Sequence, residues 1–203
     1  MPPKPKFSKE EIIDAAYEIV RSQGVEAMTA REVGKKLNSS ARPIFTMFKD
    51  MNELKDEVTK RAENRLNDYL QKAEDYDPLY KQAIKEFISF ANDEPNLFHL
   101  IFLSNNINPV NFEFFNEDVK KEYARYFDIL KNHYGLSDDE ASIIIRHSAI
   151  YIYGIGSMCS AKVCTFNDDQ LNELLGQVFM AMMAYIKSGK INDDIIVPKK
   201  VGN

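Results

Sequence analysis

Apolar residues recur at helical spacing along most of this chain, and no stretch alternates with the two-residue period of a strand. Ile12, Ala16, Ile19 and Val20 share one stripe, Ser8 with Glu11 three residues later forms a capping-box signature, and Gly24 follows. The pattern predicts a first helix over about Lys9 to Gln23. Thr29, again with Glu32 three residues on, predicts a second through Leu37. Ser39 or Ser40 caps a third, about Ser40 to Met47. A fourth starts near Asn52 and runs toward Glu74, with Leu54, Val58, Ala62, Leu66 and Tyr69 inward.

Asp77-Pro78 reads as a cap followed by proline in the first turn, opening a helix to about Asn92. Glu94-Pro95 opens another, through about Leu103. The polar run from Ser104 and the later Pro109 predict a loop over 104–115, aromatic at Phe112, Phe114 and Phe115. A helix over about Glu117 to Tyr134 stops at Gly135. Ser137 with Glu140 caps the next, which runs to about Ser160. The last spans Phe166 to Ser188, with Leu171, Leu174, Leu175, Val178, Phe179, Met182, Met183 and Ile186 on one stripe. The fold class is therefore all-α, with about nine helices.

Composition refines this picture. The 203 residues are 44% hydrophobic, enough for a sizeable core. The net charge of −5 excludes a generic nucleic-acid coat and leaves room for a local basic patch. Residues 1–61 hold twelve Lys/Arg against ten Asp/Glu, and the rest hold fourteen against twenty-one. A slightly basic head thus precedes an acidic body. The proline-rich start lacks the apolar run of a signal peptide, and no apolar stretch is long enough to span a bilayer, so a cytoplasmic protein with no membrane partner is expected. The expected organisation is a basic arm at 1–7, a three-helix head at 8–53, a helical body at 54–190 and a tail at 191–203.

Helices two and three, as predicted, are joined by two to three residues, which is helix-turn-helix spacing. That arrangement places the later helix in the DNA major groove, presenting Ser40, Ala41, Arg42, Pro43 and Thr46 while Ile44 and Phe48 anchor it. Arg42 is the candidate base reader, because its planar fork matches guanine O6 and N7; a solvated or phosphate-contacting arginine is the alternative. Thr29 and Ser40 offer hydroxyls and helix amides to phosphate or simply cap their helices. Arg31, Lys36 and Lys49 flank the pair as phosphate or base-edge contacts, or as ordinary surface charges.

Phe7 through Arg61 resembles the DNA-binding domain of the TetR/AcrR family. The resemblance is carried by Ile12–Ala16, by Gly24-Val-Glu-Ala-Met-Thr-Ala-Arg31, by Val33-Gly-Lys-Lys-Leu37, and by Ile44-Phe-Thr-Met-Phe48 running into Lys49-Asp-Met-Asn-Glu-Leu54. It implies a ligand pocket in a second domain and dimerisation through the last two helices. Four features depart from the family's pattern. Phe45 replaces a usual tyrosine and loses its phosphate hydrogen bond; Met47 replaces a frequent histidine; Met51 replaces a frequent lysine; and Arg42-Pro43 replaces a small-polar pair.

The penultimate helix is apolar nearly all round, from Ile143 to Met158, so burial on several sides is expected. A partner subunit is one candidate cover. Ile155, Leu171, Leu175, Val178, Phe179 and Met182 are the dimerisation candidates, in a two-fold pair that addresses two operator half-sites. A largely apolar small-molecule effector is expected among Phe87, Phe90, Phe98, Phe102, Tyr123, Tyr126, Phe127, Tyr151 and Met158, with His147 as polar anchor and His99 as a satisfied core histidine; ordinary core packing is the competing reading for each aromatic.

No glycine-rich phosphate loop, nucleophile elbow, cofactor motif or metal-ligand spacing is present in the sequence, so no catalytic residue, cofactor or metal is expected. The functional expectation is a ligand-responsive repressor released from a palindromic operator. The alternatives are a DNA-binding regulator without an effector, or a thiol redox sensor using Cys159 and Cys164.

Overall fold

The computed structural model describes residues 6–76, 79–104 and 124–189. Among these residues the chain forms nine α-helices and two short 3-10 turns, with no strand. The helices are α1 (Lys9–Gln23), α2 (Ala30–Lys36), α3 (Ile44–Met47), α4 (Met51–Gln71), α5 (Leu79–Asp93), α6 (Pro95–Phe102), α7 (Ala124–Tyr134), α8 (Asp138–Ser160) and α9 (Asp168–Lys187). The expected Asp77-Pro78 cap, the aromatic loop at Phe112 to Phe115 and the start of the helix ending at Tyr134 lie outside the described residues, as do Tyr123 and the 191–203 tail.

The described residues fall into two compact units. One comprises those up to residue 104 together with 152–165; the other comprises 124–151 and 166–189. In the first unit, α1 packs on α2, α4 and α6, while α4 packs on α5 and α6. Ile12, Val20, Val33, Ile44, Leu54, Val58 and Leu97 are wholly buried there. Each such side chain contributes about 1.5–3 kcal/mol by leaving water.

The helix ends follow local chemistry. The Ser8 hydroxyl accepts from the Glu11 amide, and the Glu11 carboxylate accepts from the Ser8 N–H at 2.8 Å. Both bonds satisfy groups that a helix start leaves open. The Gly24 N–H closes α1 on the Val20 carbonyl at 2.8 Å. At α2, Thr29 accepts from the Glu32 amide, while the Glu32 side chain pairs with Lys35.

Glu94 ties three helices of this unit together. It precedes α6 and is only 5% exposed. Arg21 of α1 donates to it twice, Nε to Oε2 at 2.8 Å and Nη2 to Oε1 at 2.7 Å. Arg65 of α4 adds a longer contact through Nε at 3.4 Å. Asn96 of α6 donates to the Arg21 carbonyl at 2.9 Å. The fork-on-carboxylate geometry raises the Arg21 pKa above its ordinary value.

The second unit is built on Phe127, Leu130, Leu136, Ala141, Ile144, Ile145, Met183 and Ile186, from α7, the first part of α8 and α9. Ser137 and Glu140 cap α8 reciprocally. Asn167 and Gln170 do the same for α9, so this helix begins at Asp168 rather than Phe166.

Three sequence expectations are corrected. The third helix is only Ile44–Met47, because Pro43 lacks an amide hydrogen and disfavours helical backbone at Arg42. Residues 37–43 consequently separate α2 from α3, a longer connection than two to three residues. The fourth helix starts earlier, at Met51, because Asp50 accepts from the amides of Asn52 and Glu53 at 2.9 Å each.

Candidate nucleic-acid interface

The residues around α3 build a surface from a buried anchor outward. Ile44 is wholly buried and Phe48 is 2% exposed, so the inner face of this single turn is held by the core that includes Val33 and Leu54. The outer face then presents Arg42, Phe45, Thr46 and Lys49, with Phe45 half exposed at 51%. Ala41 and Pro43 are half-buried at its edge.

The connection before α3 is shaped by two residues. Asn38 adopts φ 50°, a left-handed conformation that asparagine tolerates, and turns the chain out of α2. Gly34 lies against the returning strand of backbone: a Cβ there would meet the Ser40 carbonyl carbon at 2.8 Å and the Ala41 nitrogen at 2.9 Å. The Ser39 N–H closes this contact on the Gly34 carbonyl at 2.9 Å. Only glycine permits α2 and the 38–41 backbone to approach this closely. The Ser40 hydroxyl accepts from the Arg42 amide at 3.4 Å, and Thr46 donates to the Arg42 carbonyl at 3.2 Å. Ser40 therefore shapes the turn and does not begin a helix.

A shallow depression beside this turn is lined by Arg31, Lys35, Asn38, Ser39, Ser40 and Ala41. Lys35, Asn38 and Ser39 were not among the sequence candidates. The long turn over 37–43 brings them to the same face, and a two-residue connection would not have done so.

Many basic residues of this unit are ion-paired, Lys35 with Glu32 among them. Lys9 pairs with Glu57, Lys60 with Glu57, Arg61 with Glu10 and Asp14, and Arg21 and Arg65 with Glu94. Among the described residues, Arg31, Lys36, Arg42 and Lys49 make no ion pair. All four are exposed. In a chain with five more acids than bases, an unneutralised basic set on one face is a local attractor for anions. The start of α4 is closed to such an anion, since its amides and the Lys49 N–H are taken by Asp50 and Glu53.

No protein family's profile matches the chain, and no curated protein matches it. The reading of this face therefore stands on the residues and their geometry.

The candidate effector residues are distributed differently. Phe87, Phe98 and Phe102 meet one another and Tyr153, which was not among the sequence candidates, edge-on or tilted with ring centroids 4.9–5.6 Å apart. Gly156 of α8 presses on this cluster, where a Cβ would meet Phe98 Cζ at 2.9 Å. Phe90 is wholly buried with an edge toward Tyr69. All of these belong to the first unit. Tyr126 and Phe127 pack in the core of the second. Tyr151 is half-buried, Met158 is 41% exposed and His147 is exposed, so neither of the last two lines an enclosed space. His99 is exposed as well, which corrects the expectation of a core histidine.

The dimerisation candidates also divide. Ile155, Leu171 and Leu175 are buried within the chain, and Val178, Phe179 and Met182 are half-buried. The large apolar residues left exposed on these two helices are instead Ile150 and Met158 on α8 and Met180 and Tyr185 on α9, at 53%, 41%, 66% and 45%. Ala181 and Ala184 share the exposed face of α9. The penultimate helix is buried on part of its circumference, and Arg146, His147, Ile150, Gly154 and Met158 remain open along it. Among the described residues no helix is long and apolar enough to cross a membrane, and no cluster of three or more His, Cys, Asp or Glu side chains is placed to hold a metal ion.

Proposed function

We propose that the protein is a DNA-binding transcriptional regulator that reads duplex DNA through the Arg42–Lys49 surface. The observation that carries this reading is the set of exposed basic residues without ion-pair partners, Arg31, Lys36, Arg42 and Lys49, around a helical turn anchored by Ile44. The resemblance of Phe7–Arg61 to the TetR/AcrR DNA-binding domain supports it. Arg42 reads a base edge, Thr46 and Pro43 lie beside it, and Arg31, Lys35, Lys36 and Lys49 contact phosphate. Phe45 offers an exposed ring for contact with a thymine methyl or a sugar. The chain acts as a two-fold pair, for which the uncovered Ile150, Met180 and Tyr185 are the support. The finer reading is a repressor released by a small apolar effector. Its support is the family resemblance together with the Phe87–Phe98–Phe102–Tyr153 cluster, which an effector would enter by displacing rings.

The decisive experiment selects duplexes from a random pool with the full chain and measures affinity across salt. The expected result is a palindromic consensus and an affinity that falls steeply with salt. Arg42→Ala is expected to weaken the selected site about tenfold or more, from a loss of about 1–3 kcal/mol, and to relax preference at one base pair in each half-site. No enrichment from the pool, or a consensus indifferent to Arg42→Ala, overturns the reading.

A further inference from the structure

The outer face of α3 carries a side chain that its buried anchor does not use. Among the described residues before Tyr76, Phe45 is the one large apolar side chain left exposed, at 51%. Ile44 before it and Phe48 after it are buried in the core of the unit. Met47 and Met51 are half-buried and pack against the same core. An aromatic ring set in water beside basic residues that lack carboxylate partners is surface without a role in the fold.

The polar groups of the turn narrow what it can read. The Ile44 N–H bonds to the Ala41 carbonyl at 3.1 Å, and the Thr46 N–H bonds to the Pro43 carbonyl at 3.2 Å, so the helical winding includes Arg42. The Thr46 hydroxyl gives its one proton to the Arg42 carbonyl at 3.2 Å. Ala41, Pro43 and Phe45 carry no polar side-chain atom. Between residues 41 and 47 the Arg42 guanidinium is therefore the one side-chain N–H donor, and it makes no ion pair among the described residues. Phe45 follows Arg42 by three positions. That spacing sets neighbouring side chains about 5–6 Å apart at Cβ on one helix face. The outer surface thus offers one cationic fork with an apolar ring beside it.

We propose that this turn recognises a guanine next to a base pair that carries a 5-methylpyrimidine, with Arg42 on the guanine edge and Phe45 covering the methyl group. The inference rests on the DNA-reading function proposed above and fixes what Phe45 reads. In the major groove every base edge presents donors or acceptors, and the C5 methyl is the one apolar group among them. A ring without polar atoms gains by burying that methyl and loses by covering an amino or keto group it cannot bond. Successive base pairs rise by about 3.4 Å, so a fork and a ring on adjoining positions span a single step. A deoxyribose would bury the ring equally on any sequence, whereas the methyl makes the step readable. Thymine carries this group, and 5-methylcytosine presents the same one at the same place.

The test selects duplexes with the full chain from two random pools, one ordinary and one with 5-methylcytosine replacing cytosine. The expected half-site pairs a guanine with an adjacent 5-methylpyrimidine. Enrichment from the ordinary pool assigns the methyl to thymine, and enrichment from the methylated pool alone assigns it to 5-methylcytosine. Removing the methyl, by thymine→uracil or 5-methylcytosine→cytosine, is expected to weaken binding about fourfold for each methyl lost, the value of one buried carbon. Phe45→Ala is expected to bind both forms alike, to keep the guanine preference and to melt at the wild-type temperature, since the ring is exposed. Arg42→Ala is expected to lose the guanine preference. Wild-type binding indifferent to the methyl overturns the proposal. So does a methyl effect that persists in Phe45→Ala, which would belong to the stiffness of the duplex. A lowered melting temperature in Phe45→Ala would give the ring a structural role and overturn it as well. Failure to bind any duplex overturns the DNA-reading function too; tight binding without methyl sensitivity overturns this inference alone.

Discussion

Two sets of basic residues in the N-terminal helices differ in how far they are neutralised, although Lys35 on the α2–α3 side pairs with Glu32 and Lys55 of α4 has no ion pair among the described residues. On the α1–α4 side, Lys9, Arg21, Lys60, Arg61 and Arg65 are each met by a carboxylate from another turn or another helix. On the α2–α3 side, Arg31, Lys36, Arg42 and Lys49 have no ion-pair partner among the described residues. In the first set, Lys9, Arg21, Arg61 and Arg65 reach carboxylates beyond their own helix, while Lys60 pairs within α4. The second is exposed and makes no side-chain ion pair. Net charge hides this difference, since an acidic total of −5 coexists with an unneutralised basic surface. Function follows the local balance of charge at this distance scale, because water and salt screen the remainder of the molecule.

If this contrast is correct, the paired face should resist mutation poorly in stability and the open face should resist it well. The largest effect is expected at Glu94. Glu94→Ala leaves Arg21 and Arg65 without their shared carboxylate and should destabilise the chain by about 2–3 kcal/mol, below the value for a fully buried pair because the guanidinium of Arg21 is 43% exposed. Urea unfolding measures it; a loss under half a kilocalorie would show that the paired face is not a structural clamp. Gly34→Ala comes next. Its Cβ would press on the Ser40 and Ala41 backbone, at an expected cost of about 1–2 kcal/mol and with weakened duplex binding, since the turn carrying Ser40 and Arg42 must move.

The open face should show the reverse. Arg31→Ala and Lys36→Ala together should change stability by no more than about 0.5 kcal/mol while lowering the salt dependence of duplex binding. Equal losses of stability on both faces would erase the distinction.

The smallest effect is expected from acid. Glu11 and Glu140 are held below the ordinary carboxylate value of 4.5, chiefly by the backbone N–H of Ser8 and of Ser137 and then by their hydroxyls. A carboxyl with a depressed folded pKa stabilises the fold above its unfolded value and loses that contribution as the pH falls through the folded one. Stability should therefore decline below about pH 4, and Glu11→Gln with Glu140→Gln should flatten that decline in circular dichroism melts. An unchanged acid limb would assign it to other carboxylates.

Much of the helical framework was legible in the chain because caps are local. Ser8 with Glu11, Ser137 with Glu140, and Gly24 act within one turn, so their spacing alone places α1 and the start of α8. Asn167 with Gln170 carries the same signal and starts α9 two residues later than its apolar stripe suggests. Pro43 carried the signal that shortened α3, through its missing N–H, and its effect on the turn before it brought Lys35, Asn38 and Ser39 to the candidate interface. The candidate effector residues were less legible: helical periodicity groups Phe87, Phe98 and Phe102 on apolar stripes, but nothing in it tells rings that fill space from rings that line it.

What the sequence determined by itself is the all-α class and the capped ends of several helices, governed by interactions within a few positions. Only the tertiary structure decided which charges are neutralised, since Arg21 finds Glu94 across 73 positions, and which apolar residues are covered, leaving Ile150 and Met180 open while Ile155 is buried. Periodicity states that residues share a face; what lies against that face is set by the packing of distant helices, where desolvation and charge pairing are decided together.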